Sequence, residues 1–308
     1  MNAPAPHPHL DLRRARIGLF CGLGAYAFWG VLPVYFKALA TVSPMLIVAH
    51  RIVWSLVALA LLVSFLKGWP AVRMAVRDRK AIGTLAITAT LIAVNWLLYV
   101  YAINSGQILA GSLGYYLNPL ANILLGRFFL HETLSQRQWT AVAIATGGVA
   151  VLAAGALDTL WLSLTLCFSF ATYGLLRKRV AVDSLSGLTI ETMILAPLAI
   201  AYLGFEASRG SSMFGETGGE AALLVAAGVI STVPLLLFTE AARRLPYATV
   251  GMLQFIAPTV QFLLAILVYD EPVTRAHGIA FAAIWAAVAL YMSGMLDQRR
   301  IRNAAEQL

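Results

Sequence analysis

Few side chains in this sequence could do chemistry, and most of those lie inside long apolar runs. Glu191 and Glu240 are carboxylates within such runs, and Arg51 and its neighbour His50 sit in another. Asn95, Asn118, Asn122, Gln254 and Gln261 are amides in apolar surroundings. A carboxyl inside an apolar helix can hold or release a proton as its environment changes, which makes Glu191 the candidate proton carrier. Arg51 is the most costly residue to place, because an arginine at the centre of a bilayer costs about 2.5–3.5 kcal/mol even on the lenient insertion scale. It must snorkel to an interface, face a cavity or meet a carboxylate. Glu240 precedes Arg243 and Arg244 at i+3 and i+4, so a local ion pair is expected there.

Other chemistries lack their signatures. The chain has no GxxxxGK[ST] phosphate loop, no HExxH, no GxSxG and no Cys/His cluster with metal-ligand spacing. No cofactor, no metal and no ATP drive of its own are therefore expected. Cys21 and Cys167 both lie in apolar segments and read as small buried hydrophobes. His7 and His9 belong to a Pro/His-rich tail, for which a flexible segment is the simpler reading.

Composition sets the environment of these groups. The chain is 60% hydrophobic and 12% charged, against roughly 25% charged in a soluble domain. Mean hydropathy is +0.79. This describes a polytopic membrane protein. The tails and the stretches around 67–80 and 206–219 are the longest polar ones. Ten runs are long and apolar enough to span a bilayer, at about 20 residues each. They fall near 17–39, 45–66, 81–103, 109–130, 138–156, 159–176, 187–205, 221–242, 247–268 and 276–296.

Lysine and arginine give the orientation. With the N-terminus inside, eighteen of the 22 fall on the cytoplasmic side, among them Arg13, Arg73, Arg177 and Arg299. Only Arg209 and Arg275 fall outside, and Lys37 and Arg51 lie in or at the ends of helices. Both termini are expected in the cytoplasm. The net charge of +8 is then a topology signal whose partner is anionic lipid headgroups, not nucleic acid.

The two halves match each other at an offset of 139 residues. Gly114–Pro119 followed by apolar residues to Glu132 returns as Leu253–Pro258 followed by apolar residues to Glu271. Each half holds five spans, an odd number, so the second copy must enter the membrane from the opposite side. Residues 17–156 and 159–296 are expected to form an inverted repeat, flanked by cytoplasmic tails at 1–16 and 297–308.

Pro119 and Pro258 fall near mid-span and free the carbonyls of Tyr115 and Gln254. Free carbonyls at membrane depth need protein or a water-filled cavity, which points to a central cavity. A packing kink is the plainer alternative. The amides serve equally well as glue between helices or as cavity lining. Tyr26, Trp29, Tyr99 and Tyr115 lie deeper than an interfacial aromatic belt would, and would suit a flat apolar or cationic solute. Helix direction places His50 and Arg51 in an outer polar cluster and Glu191 in an inner one. Glu132 and Glu271 recur at the ends of their runs and suggest a shared structural role there.

These residues resemble the RarD family, within the EamA branch of the drug/metabolite transporter superfamily, over about 15–300. The likeness is carried by Ala25–Gly30 with Pro33 and Tyr35–Lys37, His50–Ser55, Asn95–Tyr99, and Ser112–Tyr115 with Asn118–Leu120. The second half adds Phe168–Gly174, Arg177-Lys178, Glu191-Thr192, and Pro234 with Phe238-Thr239. The resemblance implies an inner-membrane, ten-helix permease of two EamA repeats, with chloramphenicol sensitivity attached to the family name and efflux of drugs or metabolites as the usual assignment.

The expectation is an all-α membrane protein with ten transmembrane helices in an inverted 5+5 repeat. It would act as a secondary transporter, exporting amphenicols or amino-acid-like solutes by alternating access. Its cavity residues would be Tyr26, Trp29, His50, Arg51, Asn95, Tyr99, Tyr115, Asn118, Pro119, Tyr173, Glu191, Gln254 and Pro258. Its partners would be a small-molecule substrate, membrane lipids and, as a candidate coupling ion, the proton. An uncoupled exchanger or facilitator is the near alternative. A membrane scaffold without flux is further off, and an intramembrane enzyme further still, because it would need a convergent acid–base or metal pair.

Overall fold

The computed structural model describes residues 8–104, 108–154, 158, 160–210, 213–268 and 275–305. Backbone N–H and C=O groups inside lipid find partners only in their own helix, so long apolar runs without charges fold as helices. Twelve helices and no strand occur among the described residues. They are α1 (Pro8–Ala38), α2 (Pro44–Phe65), α3 (Trp69–Arg77), α4 (Arg79–Asn104), α5 (Ile108–Phe129) and α6 (Gln136–Ala153). The rest are α7 (Leu160–Arg179), α8 (Ser184–Ser208), α9 (Gly218–Arg244), α10 (Tyr247–Gln254), α11 (Ile256–Leu267) and α12 (Arg275–Ala305).

Seven spans are long and apolar enough to cross a membrane among the described residues, against ten expected. They lie in α1, α2, α4, α7, α8, α9 and the α10–α11 stretch, while α12 has a shorter apolar core at Gly278–Gly294.

Helix starts follow local chemistry. Ser135 and Gln138 form a capping box at α6, and Thr217 and Glu220 form another at α9. Asp183 caps α8 by accepting from the Ser186 N–H at 2.8 Å. Pro44 opens α2, where its missing N–H costs nothing.

Two features depart from the sequence reading. The polar stretch at 67–80 contains a helix, α3. The single run expected over 247–268 is two helices that meet at Phe255. Pro258 has no N–H to return to the Gln254 carbonyl and lies in the first turn of α11, so the chain restarts the helix there. At the matching position Pro119, α5 continues unbroken.

By packing, the chain divides into Met1–Tyr101 with Thr172–Leu245, and Ala102–Ala171 with Pro246–Leu308. Each unit draws on both halves of the sequence, so the repeat and the packing unit are different divisions of the chain. In the first unit α9 packs on α1 and α2, and α8 packs on α2 and α3. Gly228 makes the α2–α9 crossing close, since a Cβ there would collide with the backbone of Trp54. Ser55 Oγ donates to the Gly228 carbonyl at 3.1 Å.

In the second unit α12 packs on α6, and α5 packs on α10 and α6. Here a Cβ on Gly251 would stand 2.6 Å from the Pro119 carbonyl oxygen, and one on Gly148 would stand 2.9 Å from the Ala283 Cβ. Leu113, Ile123, Ala145, Phe255 and Ile284 are in the buried core beside them.

Glu132 does not simply end its own helix. Beyond α5, His131 takes the left-handed conformation usual after a helix C-terminus (φ 55°). The Glu132 N–H returns to the Gly126 carbonyl at 3.0 Å. The carboxylate then accepts the N–H groups of Tyr247 at 2.5 Å and Ala248 at 2.9 Å, which caps α10. Gly126 leaves room for it, as a Cβ there would lie 2.7 Å from Glu132 Oε2. Glu271 lies outside the described residues. Glu132→Ala is expected to cost about 1–3 kcal/mol, read as a lower midpoint of thermal unfolding in detergent, with Glu132→Gln in between. A Glu132→Ala protein that melts with the wild type would show that α10 needs no such cap.

Candidate functional site

Within the first unit, five helices enclose a narrow cavity with mostly apolar walls. α2 contributes Ile52 and Ser55, α4 contributes Ile92 and Trp96, and α7 contributes Tyr173. Leu188, Glu191, Thr192 and Leu195 come from α8, and Thr232 and Leu235 from α9. Helical spacing explains the lining: Ile92 and Trp96 are one turn apart, as are Leu188, Thr192 and Leu195 in sequence along α8. Two of the hydroxyls are occupied by backbone. Ser55 bonds the Gly228 carbonyl, and Thr192 bonds Leu188 O at 2.8 Å. The Thr232 hydroxyl is buried and has no hydrogen-bond partner among the described residues.

Glu191 is the charged group of the cavity wall. Thr88 Oγ1 donates to its Oε1 at 2.5 Å, and the Tyr173 hydroxyl donates to Oε2 at 3.3 Å. Arg177 Nε stands 3.5 Å from Oε1, an ion pair without hydrogen-bond geometry, with side-chain exposures of 0% and 2%. Tyr173 and Arg177 are one turn apart on α7, so both reach the same carboxylate. Arg177 Nη2 donates to the Ser184 carbonyl at 3.1 Å. Its Nε and Nη1 are buried without hydrogen bonds among the described residues. Gly187 clears the space for this guanidinium, which a Cβ would strike. Burying two charges is costly, so a pair kept at this depth is more naturally tied to specificity or switching than to raw stability.

Aromatic residues adjoin the cavity. Tyr173 stacks on Phe238 at 6.2 Å between centroids, and Phe238 meets Tyr26 at 6.2 Å and Trp29 at 5.7 Å. The Tyr26 hydroxyl is buried and makes no hydrogen bond among the described residues. Arg51 lies behind Trp96: its guanidinium is 4.7 Å from that ring and 5.8 Å from Phe36, and its Nε donates to Ser231 Oγ at 2.8 Å. Trp96 is eight residues beyond Thr88, about 12 Å along α4 at 1.5 Å per residue. Arg51 and Glu191 are thus associated with different levels of the same helix. His50 bonds the Met213 carbonyl at 2.7 Å, accepts from Trp54 Nε1 at 3.2 Å and packs on Phe214. It ties α2 to the segment before α9. Asn95 is buried and Tyr99 half-buried on α4.

The remaining residues singled out from the sequence lie in the second unit. Asn118, Pro119, Gln254 and Pro258 are buried, and Tyr115 is half-buried. Asn122 Nδ2 donates to Gln254 Oε1 at 2.8 Å, which joins α5 to α10. Both amide atoms of Asn118 are buried without hydrogen bonds among the described residues. Glu240 pairs with Arg244 and accepts from Ser184 Oγ at 2.7 Å, whereas Arg243 turns to the carbonyls of Val180 and Val182.

Arg177 and Thr88 at the carboxylate, and Ser55, Trp96, Thr192 and Thr232 on the wall, are among the site residues that the sequence did not single out as such. Arg177 stands beside Lys178 and Arg179 and reads there as one of three cytoplasmic charges. Its position one turn beyond Tyr173 was the available signal.

The EamA-like transporter family model matches residues 16–154 and 159–293. Protein RarD of Escherichia coli (strain K12) is 41% identical over 300 residues, covering 94% of this chain and 99% of its own. An uncharacterized transporter of Vibrio cholerae is 43% identical over 282 residues, covering 91% and 93%. A Pseudomonas aeruginosa relative named chloramphenicol-sensitive protein RarD is 33% identical over 294 residues, covering 94% and 97%. A solved crystal structure aligns with a TM-score of 0.68 at 18% identity, covering 89% of this chain and 96% of its own, which supports the fold. The chain belongs to the EamA-like transporter family, in its RarD group, and is a multi-pass membrane transporter.

Removing Arg177 alone would leave Glu191 buried and unpaired. Arg177→Met is expected to cost about 3–5 kcal/mol, seen as lost monodisperse protein or a lowered unfolding midpoint in detergent. Arg177→Met combined with Glu191→Leu should recover much of that loss. A double variant whose defect equals the sum of the singles would show that the two charges act independently.

Proposed function

We propose that this chain is a secondary transporter that moves a small drug or metabolite through the Glu191 cavity by alternating access, in the direction of export. The observation that carries this reading is a buried, charge-paired carboxylate on the wall of a mostly apolar cavity, in a chain of a transporter family. Tyr173 and Trp96 supply aromatic surface on the cavity wall with that carboxylate, and Tyr26 and Trp29 back it through Phe238, an arrangement suited to a flat or partly apolar solute. Amino-acid-like solutes and amphenicols both fit that description, and the name of the Pseudomonas relative adds chloramphenicol to the panel worth testing. His50, Arg51, Asn95 and Tyr99 would line or gate one end of the path. Tyr115, Asn118, Pro119, Gln254 and Pro258 would serve at the bends of the two repeat-related segments.

In this reading ten spans form an inverted 5+5 repeat, with both termini in the cytoplasm and the whole in the inner membrane. The 139-residue self-match and the distribution of Lys and Arg support that arrangement. Glu191 would couple transport to the proton by exchanging its hold on Arg177 for a proton or for the substrate. A second reading has its own support: Arg177 already balances Glu191, and a pair that stays charged would leave an uncoupled exchanger or facilitator.

The test is flux in proteoliposomes with labelled amino acids and amphenicols, with and without a pH gradient, for wild type and Glu191→Gln. Movement that follows the gradient and fails in the variant is the expected result. Movement indifferent to both would leave the exchanger and reduce Glu191 to a structural role. No flux of any panel member would overturn the proposed substrate classes.

A further inference from the structure

α3 is a nine-residue helix between two candidate spans, Pro44–Phe65 and Arg79–Tyr99. A helix joining two spans on the same side of the membrane lies at the level of the headgroups. One face of α3 is buried: Val72 and Ala75 enter a core with Val63, Leu85, Val180, Val182 and Ile190, and Trp69 packs against it. Trp69 Nε1 also donates to Ser64 Oγ at 2.9 Å, which fixes α3 to the end of α2.

The other face is built differently. Arg73, Met74 and Arg77 point outward, Met74 with 71% of its surface exposed. Lys67, Arg79 and Lys80 are exposed at its ends, so five cations lie within fourteen residues. The lone acid in that stretch, Asp78, is engaged with the backbone N–H groups of Lys80 at 2.9 Å and Ala81 at 3.3 Å, where it starts α4. An exposed apolar side chain flanked by unbalanced cations at headgroup level fits an interfacial helix on an anionic surface.

The buried face leads to the functional site. Val180 and Val182 form the turn between α7, which carries Arg177, and α8, which carries Glu191. Ile190 adjoins Glu191 in sequence.

We propose that α3 binds acidic phospholipid headgroups through Arg73, Arg77 and the cations at its ends, and through Val72 and Ala75 clamps the α7–α8 turn beside the Arg177–Glu191 pair. This rests on α2 and α4 spanning the membrane and is independent of which solute is carried.

The test is hydrogen–deuterium exchange on the full chain in nanodiscs of phosphatidylcholine, with and without phosphatidylglycerol. Amides of residues 69–77 and 180–190 should exchange several-fold more slowly with phosphatidylglycerol. That difference should vanish in Arg73→Gln/Arg77→Gln and shrink at high salt, but persist in Arg127→Gln, an exposed cation of the other unit. Equal exchange in both lipids, or a difference untouched by the double variant, would overturn the lipid site. Inorganic phosphate that gives the same protection in phosphatidylcholine discs would replace it with a free-anion site. Protection of α3 without the 180–190 segment would overturn the clamp.

Discussion

A charge withdrawn from water has to find its opposite, and in this chain that demand converges on one carboxylate. Glu191 on α8 collects Thr88 from α4 and both Tyr173 and Arg177 from α7. Between helices in lipid there is little hydrophobic drive, because the tails are as apolar as leucine. Directional contacts and close packing must therefore choose the register. Arg177 lies in the last turn of α7 and Glu191 about two turns into α8, so their pairing fixes the α7–α8 hairpin locally. Thr88 then brings in α4 from more than a hundred residues away. Gly187 completes the arrangement by giving the guanidinium a place to lie. The cavity exists where it does because these three helices are held at this level by polar contacts while α2 and α9 close it with Ile52, Ser55, Thr232 and Leu235.

The second unit solves its packing by shape. Gly251 admits the Pro119 carbonyl, Gly148 admits Ala283, and Asn122 reaches Gln254 across the same crossing. The strongest polar contact described there sits at a helix end: Glu132 supplies the negative group that the N-terminus of α10 favours. A break in the helix at Phe255 is tolerable because Phe255, Leu253 and Gln254 are buried in protein, which is the condition for irregular backbone at membrane depth.

What could be read from the sequence follows from the range of the physics involved. Long apolar runs and the Glu240–Arg244 pair are local, and each is visible within a few residues. Arg177 was hidden because counting cations assigns them to a side of the membrane by neighbourhood, and cannot see that one of three consecutive cations turns inward. Glu132 reads as structural from its place at the end of an apolar run, yet its partners are 115 and 116 residues away, beyond any local signal. Pro119 and Pro258 are equivalent in sequence, but only the second accompanies a break. α3 escaped because nine residues with only Val72 and Ala75 buried and two arginines exposed look, in sequence, like a polar loop.

The character of the Glu191 pair also bears on how such a cavity could change shape. Moving a helix that carries a lone buried charge would expose that charge to lipid at a cost of several kcal/mol. A helix that carries half of a pair faces the same cost unless the partner moves with it or is replaced. Arg177 is anchored by Ser184 at the hairpin itself, so α7 and α8 can travel together with the pair intact. Thr88, on α4, is the contact that such a motion would break. It is an uncharged hydroxyl that also reaches the Leu85 carbonyl at 3.0 Å on its own helix. Its loss strands no charge, because the hydroxyl retains an acceptor and the carboxylate retains its cation. The polar contact between α4 and the α7–α8 hairpin can therefore part without stranding a charge.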